Sequence, residues 1–172
     1  MDSDLLLIQK MKIGDEQAVD VFVKKYYLKI LKYCCLHIHD YGYAEDVAQE
    51  TFEQFFRTLS QYRHYGKALN YLYVIAANKC KNFYTKKREV VMEELPEQLD
   101  YSMNDLAEYM DVHHALDDLP FELREIAILF FFQQLKQKEI AKILGIGLPL
   151  VKYRIRKAKA LLVLYLGEEE NL

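Results

Sequence analysis

Glu139-Ile140-Ala141-Lys142-Ile143-Leu144-Gly145-Ile146, followed by Val151-Lys152-Tyr153-Arg154-Ile155-Arg156-Lys157-Ala158, decides how this chain folds. Ala141, Gly145 and Val151 are spaced by four and six residues. A small residue suits the crossing of two helices, a glycine suits a positive-φ turn between them, and an aliphatic anchors the second helix on the core. Ile140, Leu144, Ile146 and Ile155 complete the inner face. Beyond the turn, Lys152, Arg154, Arg156, Lys157 and Lys159 make the second helix basic. A plain helical hairpin with a solvated face and a DNA-reading helix-turn-helix both fit this pattern. The cations favour DNA, because phosphates and guanine edges both attract Lys and Arg.

Charge along the chain is segregated, which the net charge of -3 conceals. Arg63, Lys67, Lys79, Lys81, Lys86, Lys87 and Arg88 follow one another with no acid between Gln61 and Arg88. From Glu89 to Asp118 the sign inverts, with Glu93, Glu94, Glu97, Asp100, Asp105, Glu108, Asp111 and Asp117 and no Lys or Arg. From Leu119 to Leu166 the basic residues again outnumber Glu122, Glu125 and Glu139. Two basic modules thus flank an acidic connector.

A chain of 172 residues fits one domain or two small ones, and 52% apolar residues exclude disorder throughout. No run of about 18 apolar residues is present to span a membrane. Met1-Asp2-Ser3-Asp4 carries no basic region ahead of Leu5-Leu6-Leu7-Ile8, so no signal peptide is expected. Cys34, Cys35 and Cys80 have no zinc-ligand spacing and read as buried, reduced thiols of a cytoplasmic protein.

The fold class expected is all-α, because glycines and prolines are few and no hairpin turn separates alternating apolar runs. A short first helix runs to Gly14, and Asp15 caps a second whose stripe includes Val19, Phe22, Val23, Tyr26, Tyr27, Ile30 and Leu31. A third spans about Tyr43 to Leu59, with Val47, Thr51, Phe55 and Leu59 at four-residue steps, and a fourth about Ala68 to Lys87. Asp111 to Leu119, Leu123 to Leu135, Lys138 to Leu144 and Leu148 to Leu166 form a second bundle, with Pro120 tolerated at a helix start. The organisation expected is a helical domain over 1–88, an acidic linker over 89–110, and a helix-turn-helix domain over 111–172.

Tyr43-Ala44-Glu45-Asp46-Val47-Ala48-Gln49-Glu50-Thr51-Phe52 sets acids and an amide beside apolar anchors on the third helix. Taken alone, that face reads as a solvated acidic surface. After it, Tyr62, Tyr65, Tyr71, Tyr73, Phe83 and Tyr84 interleave with Arg63, Lys67, Lys79, Lys81 and Lys86. Cations track phosphates and aromatic faces stack on unpaired bases, although aromatics on helices are more often core.

These two motifs, in this order, resemble the extracytoplasmic-function (ECF) group of bacterial sigma factors over nearly the whole chain. Residues 43–52 resemble its region 2.2, and Tyr71-Leu72-Tyr73-Val74-Ile75-Ala76-Ala77-Asn78 resembles its melting segment. Leu119-Pro120, Arg124, Phe130-Phe131-Phe132 and the helix-turn-helix resemble its region 4. The resemblance implies a sigma factor that binds core RNA polymerase and directs promoter recognition and DNA opening in a stress response. Asp46, Gln49, Glu50 and Phe52 would dock on the β′ coiled coil, with exposed apolar groups as the hot spot. Tyr62, Arg63, Tyr71, Asn78, Lys79, Lys86, Lys87 and Arg88 would contact the minus-ten element. Lys138, Lys152, Arg154, Arg156 and Lys157 would contact the minus-thirty-five element, beside the β flap. An anti-sigma factor is a further implied partner. The chain departs from the family in having Tyr71 for a tryptophan, Ala77 for an arginine, and Gly147-Leu148-Pro149-Leu150 where small or hydroxyl residues usually stand.

The acidic connector reads either as a solubilising tether or as an occupant of a basic channel on polymerase. A stand-alone helix-turn-helix regulator with an N-terminal sensing or dimerisation domain is the alternative function. No glycine-rich phosphate loop, metal-ligand spacing or nucleophile motif points to an enzyme, a cofactor, a metal or a small-molecule substrate. His37 and His39, two apart, would point away from each other on a helix.

Overall fold

The computed structural model describes residues 3–89 and 112–169, and these contain helices and turns with no strand. The chain divides into two units near residue 94. Most of the acidic connector expected over 89–110 lies outside the described residues.

In the first unit, α1 (Ser3–Lys12), α2 (Glu16–His37), α3 (Tyr41–Arg57) and α4 (Ala68–Glu89) follow in order. Gly14, at φ +88°, reverses the chain after α1. Asp15 then starts α2, its carboxylate accepting from the N–H groups of Gln17 at 3.0 Å and Ala18 at 3.2 Å. Ile38 turns extended and ends α2, leaving His37 buried on the helix and His39 exposed beyond it. Asp40 caps α3 through the Tyr43 N–H at 3.1 Å, so that helix begins and ends two residues earlier than its sequence pattern suggests.

α3 packs on both α2 and α4. Val47, Thr51, Phe55 and Leu59 are buried as their spacing requires, and Phe22 of α2 stacks on Phe55 at 4.9 Å. Each such aromatic contributes roughly 1.5–3 kcal/mol through burial. The Thr51 hydroxyl, buried in this seam, returns its hydrogen bond to Val47 O at 2.8 Å. Cys34, Cys35 and Cys80 are buried and free of disulfides. One buried carboxylate ties three helices together. Asp4 of α1 accepts from the Tyr26 hydroxyl at 2.6 and 2.7 Å, from Lys25 Nζ at 2.6 Å, and from the Ala68 N–H that opens α4 at 3.4 Å.

The second unit contains α5 (112–117), α6 (Phe121–Ala127), α7 (Gln137–Leu144) and α8 (Leu148–Glu169). Arg124 closes the turn after α5. Its Nε donates to Leu116 O at 2.9 Å, and its Nη2 to Asp117 O at 3.2 Å and Leu119 O at 3.3 Å. The single helix expected over 123–135 is not continuous. It widens into a π turn over Ile128–Phe132 and stops at Gln134, which takes φ +56°. Ile126, Ala127, Ile128 and Leu129 are all fully buried, and four consecutive core residues exceed the arc that one 3.6-residue stripe can bury. The wider turn accommodates them.

The Glu139 carboxylate then accepts from the Lys136 N–H at 3.0 Å and starts α7. Gly145 ends α7 at φ +65°, with its N–H on Ala141 O. Any L side chain is strained there, which explains the glycine of the turn. Ile140 and Ile143 join Val151, Ile155 and Ala158 in the buried core of the unit, while Ala141, Leu144 and Ile146 are half-buried.

Candidate functional site

On α3 the outward ridge consists of Asp46, Gln49, Glu50 and Glu53. Phe52 does not join them. It is only 5% exposed, and its ring lies 6.3 Å from Phe22 and 6.0 Å from Tyr27. The expectation that Phe52 offers an apolar docking contact is therefore corrected. A helix wedged between two neighbours buries a wider arc than one seam needs, and Phe52 fills the seam toward α2. Tyrosines stand beside the acids instead. Tyr43 is 54% exposed and packs on Phe83 of α4 at 5.6 Å, while Tyr41 is exposed on the side toward α2. Burial, and then the nearby Glu45 carboxylate, raise the phenol pKa of both Tyr27 and Tyr41. Tyrosine supplies apolar area with a polar tip and suits an interface hot spot. The signal for these residues was present in the sequence as Tyr41-Gly42-Tyr43, just before the acidic run.

On the neighbouring helix α4, Tyr71 and Asn78 stand two turns apart on one side. Asn78, Lys81, Asn82 and Lys86 are exposed and Tyr71 is half-buried. In the sequence Lys81 stands out only as part of the basic run and Asn82 not at all; their i+3 and i+4 spacing from Asn78 places them beside it. Tyr62, in the loop before α4, lies over Tyr71 with ring centroids 5.0 Å apart, and both flank Phe55. The Tyr62 hydroxyl pairs with His64 Nδ1 at 3.1 Å, and Lys12 Nζ donates to Tyr62 O at 2.7 Å. Arg63 and Tyr65 belong to the same loop, and Tyr65 is strongly exposed. Tyr73 is buried and belongs to the core. Lys79 turns toward α3, with Nζ 3.7 Å from Glu50 Oε2. Lys87 and Arg88 continue the helical backbone of α4.

The helix-turn-helix presents Lys138 on α7 and Lys152, Tyr153, Arg156 and Lys157 on α8, all exposed. Arg154 differs. Its side chain is 18% exposed, and Nη2 donates to Glu122 Oε2 of α6 at 3.3 Å. The bond to α6 turns it away from the outward face, so the expected grouping of Arg154 with the other four is not what the structure brings together. Lys157 Nζ lies 5.8 Å from the Tyr153 ring centroid, a cation–π contact. Among the described residues no cluster of His, Cys, Asp or Glu could hold a metal ion, and no described helix is long and apolar enough to cross a membrane.

Comparison with known proteins matches residues 22–90 to the family model for sigma-70 region 2 and residues 109–162 to that for sigma-70 region 4. The chain is 30% identical to the RNA polymerase sigma-H factor of Pseudomonas aeruginosa, with 92% of this chain and 91% of that protein covered. It is 31% identical to the RNA polymerase sigma factor SigV of Bacillus subtilis, over 74% of this chain and 78% of that one. Its fold matches that of CnrH, solved with the cytosolic domain of CnrY, with a TM-score of 0.81 at 22% identity over 97% of this chain and 99% of that one. Sigma factor RpoE of Bartonella quintana, solved with the anti-sigma factor NepR, matches with a TM-score of 0.71 at 20% identity, over 87% and 96% of the two chains.

Proposed function

The chain belongs to the extracytoplasmic-function group of sigma-70 factors, which bind core RNA polymerase and direct it to promoters, and we propose how its surfaces divide that work. Residues 1–88 dock polymerase and engage the minus-ten element, 89–110 connect, and 111–172 read the minus-thirty-five element beside the β flap. Asp46, Gln49 and Glu50 pair with basic and amide groups of the β′ coiled coil, with Tyr41 and Tyr43 as apolar anchors in place of Phe52. Tyr62, Arg63, Tyr71, Asn78, Lys86, Lys87 and Arg88 hold the opened minus-ten strand, joined by Lys81 and Asn82. Lys138, Lys152, Arg156 and Lys157 meet the upstream duplex.

The observation that carries this reading is adjacency within one unit. The acid–tyrosine ridge of α3 lies beside the basic–aromatic face of α4, and Glu50 and Lys79 meet across the boundary. A protein that delivers polymerase to the strand it opens needs these two surfaces side by side. The polymerase performs the chemistry; this subunit supplies docking and recognition in the cytoplasm. A protein antagonist covering the same surfaces would act as an anti-sigma factor, the role named for NepR in its complex with RpoE.

The test is co-purification of the full chain with core polymerase, followed by run-off transcription from a promoter selected by the reconstituted holoenzyme. Specific transcripts that require both the chain and the core support the reading. Tight promoter binding by the free chain, with no association with core, would point to the stand-alone regulator instead.

A further inference from the structure

The outward face of α8 carries large apolar side chains at its centre. Val151, Ile155 and Ala158 are buried against the rest of the unit. At about 100° per residue, Tyr153 falls opposite them. Leu150, one turn earlier, shares that outward side. Tyr153 is 51% exposed and Leu150 39%. Lys152, Arg156 and Lys157 surround them, so the patch is apolar in the middle and cationic around it. That charge distribution fits the major groove of a duplex, with phosphates at the rim and base edges in the centre.

We propose that Leu150 and Tyr153 make this helix a reader of thymine through its C5-methyl group. The proposal rests on reading residues 111–172 as the upstream duplex-binding unit. Among the groups that bases expose in the major groove, only the thymine methyl is apolar. Against Leu150 and the Tyr153 ring, a guanine, cytosine or adenine edge would lose water without gaining a partner. The first turn of α8, Leu148-Pro149-Leu150-Val151, offers no side-chain donor or acceptor to a base. Arg154, whose guanidinium would suit guanine, is engaged with Glu122 at 3.3 Å. The Lys157 ammonium lies 5.8 Å from the Tyr153 ring centroid, so the cationic rim adjoins the aromatic at the apolar centre.

The experiment uses the holoenzyme and a duplex promoter library randomised across the upstream element. Enriched sequences are resynthesised with deoxyuridine replacing thymine one position at a time, which removes only the methyl. Wild-type holoenzyme is expected to enrich thymine at one or two upstream positions. It should bind each corresponding deoxyuridine duplex about fourfold more weakly, the ratio set by burying one methyl group. Leu150→Ala and Tyr153→Ala should bind the thymine duplex more weakly and no longer distinguish it from deoxyuridine; Tyr153→Phe should keep the distinction. Thermal melting checks that these exposed substitutions leave the fold intact. An upstream preference with equal binding of thymine and deoxyuridine overturns the proposal. If the alanine variants still weaken binding in that case, these side chains face protein. Absence of any upstream preference, with Arg156→Ala and Lys157→Ala also silent, overturns the duplex-binding reading beneath it.

Discussion

Lys79 Nζ lies 3.7 Å from Glu50 Oε2, so one ion pair joins the acidic ridge of α3 to the basic–aromatic face of α4. The Glu50 side chain is 58% exposed, and a pair of this kind is worth about 0–1 kcal/mol and is screened by salt. It does not hold the helices together; the aromatic seam beneath does. A pair this weak can be exchanged for other charged partners at little cost to the fold.

Replacement of Asp46, Gln49 and Glu50 together by Ala is expected to abolish association with core polymerase while leaving helicity and melting temperature nearly unchanged. All three side chains lie on the outward ridge of α3, and the Glu50–Lys79 ion pair that the change removes is weak. Size-exclusion co-elution with core polymerase measures the loss. Wild-type co-elution by the triple variant would remove α3 from the docking surface.

Asn78→Ala should leave polymerase association intact and slow open-complex formation, because Asn78 is exposed and stands in line with Tyr71 on the α4 face. Unstacking a base costs a few kcal/mol, which interactions on this face must offset. Permanganate footprinting should show fewer reactive thymines, and a promoter already unpaired across the minus-ten element should restore most of the activity. Tyr62→Ala should give the same defect with some loss of stability, since its ring also packs on Phe55 and Tyr71. Normal opening rates in both variants would assign this aromatic cluster to the core alone.

The ion pair with Glu122 sets Arg154 apart from the exposed cations Lys152, Arg156 and Lys157 of α8. Arg156→Ala and Lys157→Ala should each lower the salt dependence of duplex binding, by roughly 0.9 in the log–log slope for every phosphate no longer neutralised. Arg154→Ala should leave that slope unchanged and instead lower the melting temperature slightly, since it removes the bond to Glu122. Titration of holoenzyme binding against salt checks both. A slope change with Arg154→Ala equal to that with Arg156→Ala would place Arg154 on the DNA after all.

At alkaline pH the first unit should weaken. Burial, and then the hydrogen bond to Asp4, push the Tyr26 phenol up to about 12. Burial raises Tyr73 as well. A proton held more tightly in the folded chain than at the unfolded value of about 10 stabilises the native state. That stability is complete below pH about 10 and is lost as pH rises through about 12. Tyr26 and Tyr73 should therefore show their phenolate absorbance late, together with unfolding. Asp4→Ala leaves the buried Tyr26 hydroxyl without that acceptor and should cost about 1–3 kcal/mol in a urea titration. Full phenolate titration near pH 10 with the fold intact would contradict this account.

The all-helical class, the Asp15 cap and the turn of the helix-turn-helix were legible in the sequence, while the bounds of α3 and the break at Ile128–Phe132 were not. Asp15 before an apolar stripe, the four-residue steps from Val47 to Leu59, and Gly145 between Ala141 and Val151 each report a local requirement of one helix or one turn. Charge segregation likewise marked the basic modules, since it needs no knowledge of packing. Tertiary structure alone decided the rest. The burial of Phe52 depends on α3 having neighbours on two sides, and a single-helix period does not tell how many neighbours a helix has. Arg154 stands apart from the exposed cations of α8 because Glu122, far away in sequence, comes within 3.3 Å of it. Nothing in the sequence marked Asp4, whose burial arises only when folding surrounds it with Tyr26, Lys25 and the start of α4. Helical periodicity depends on neighbours along the chain; burial and pairing depend on neighbours in space, which the chain acquires only when it folds.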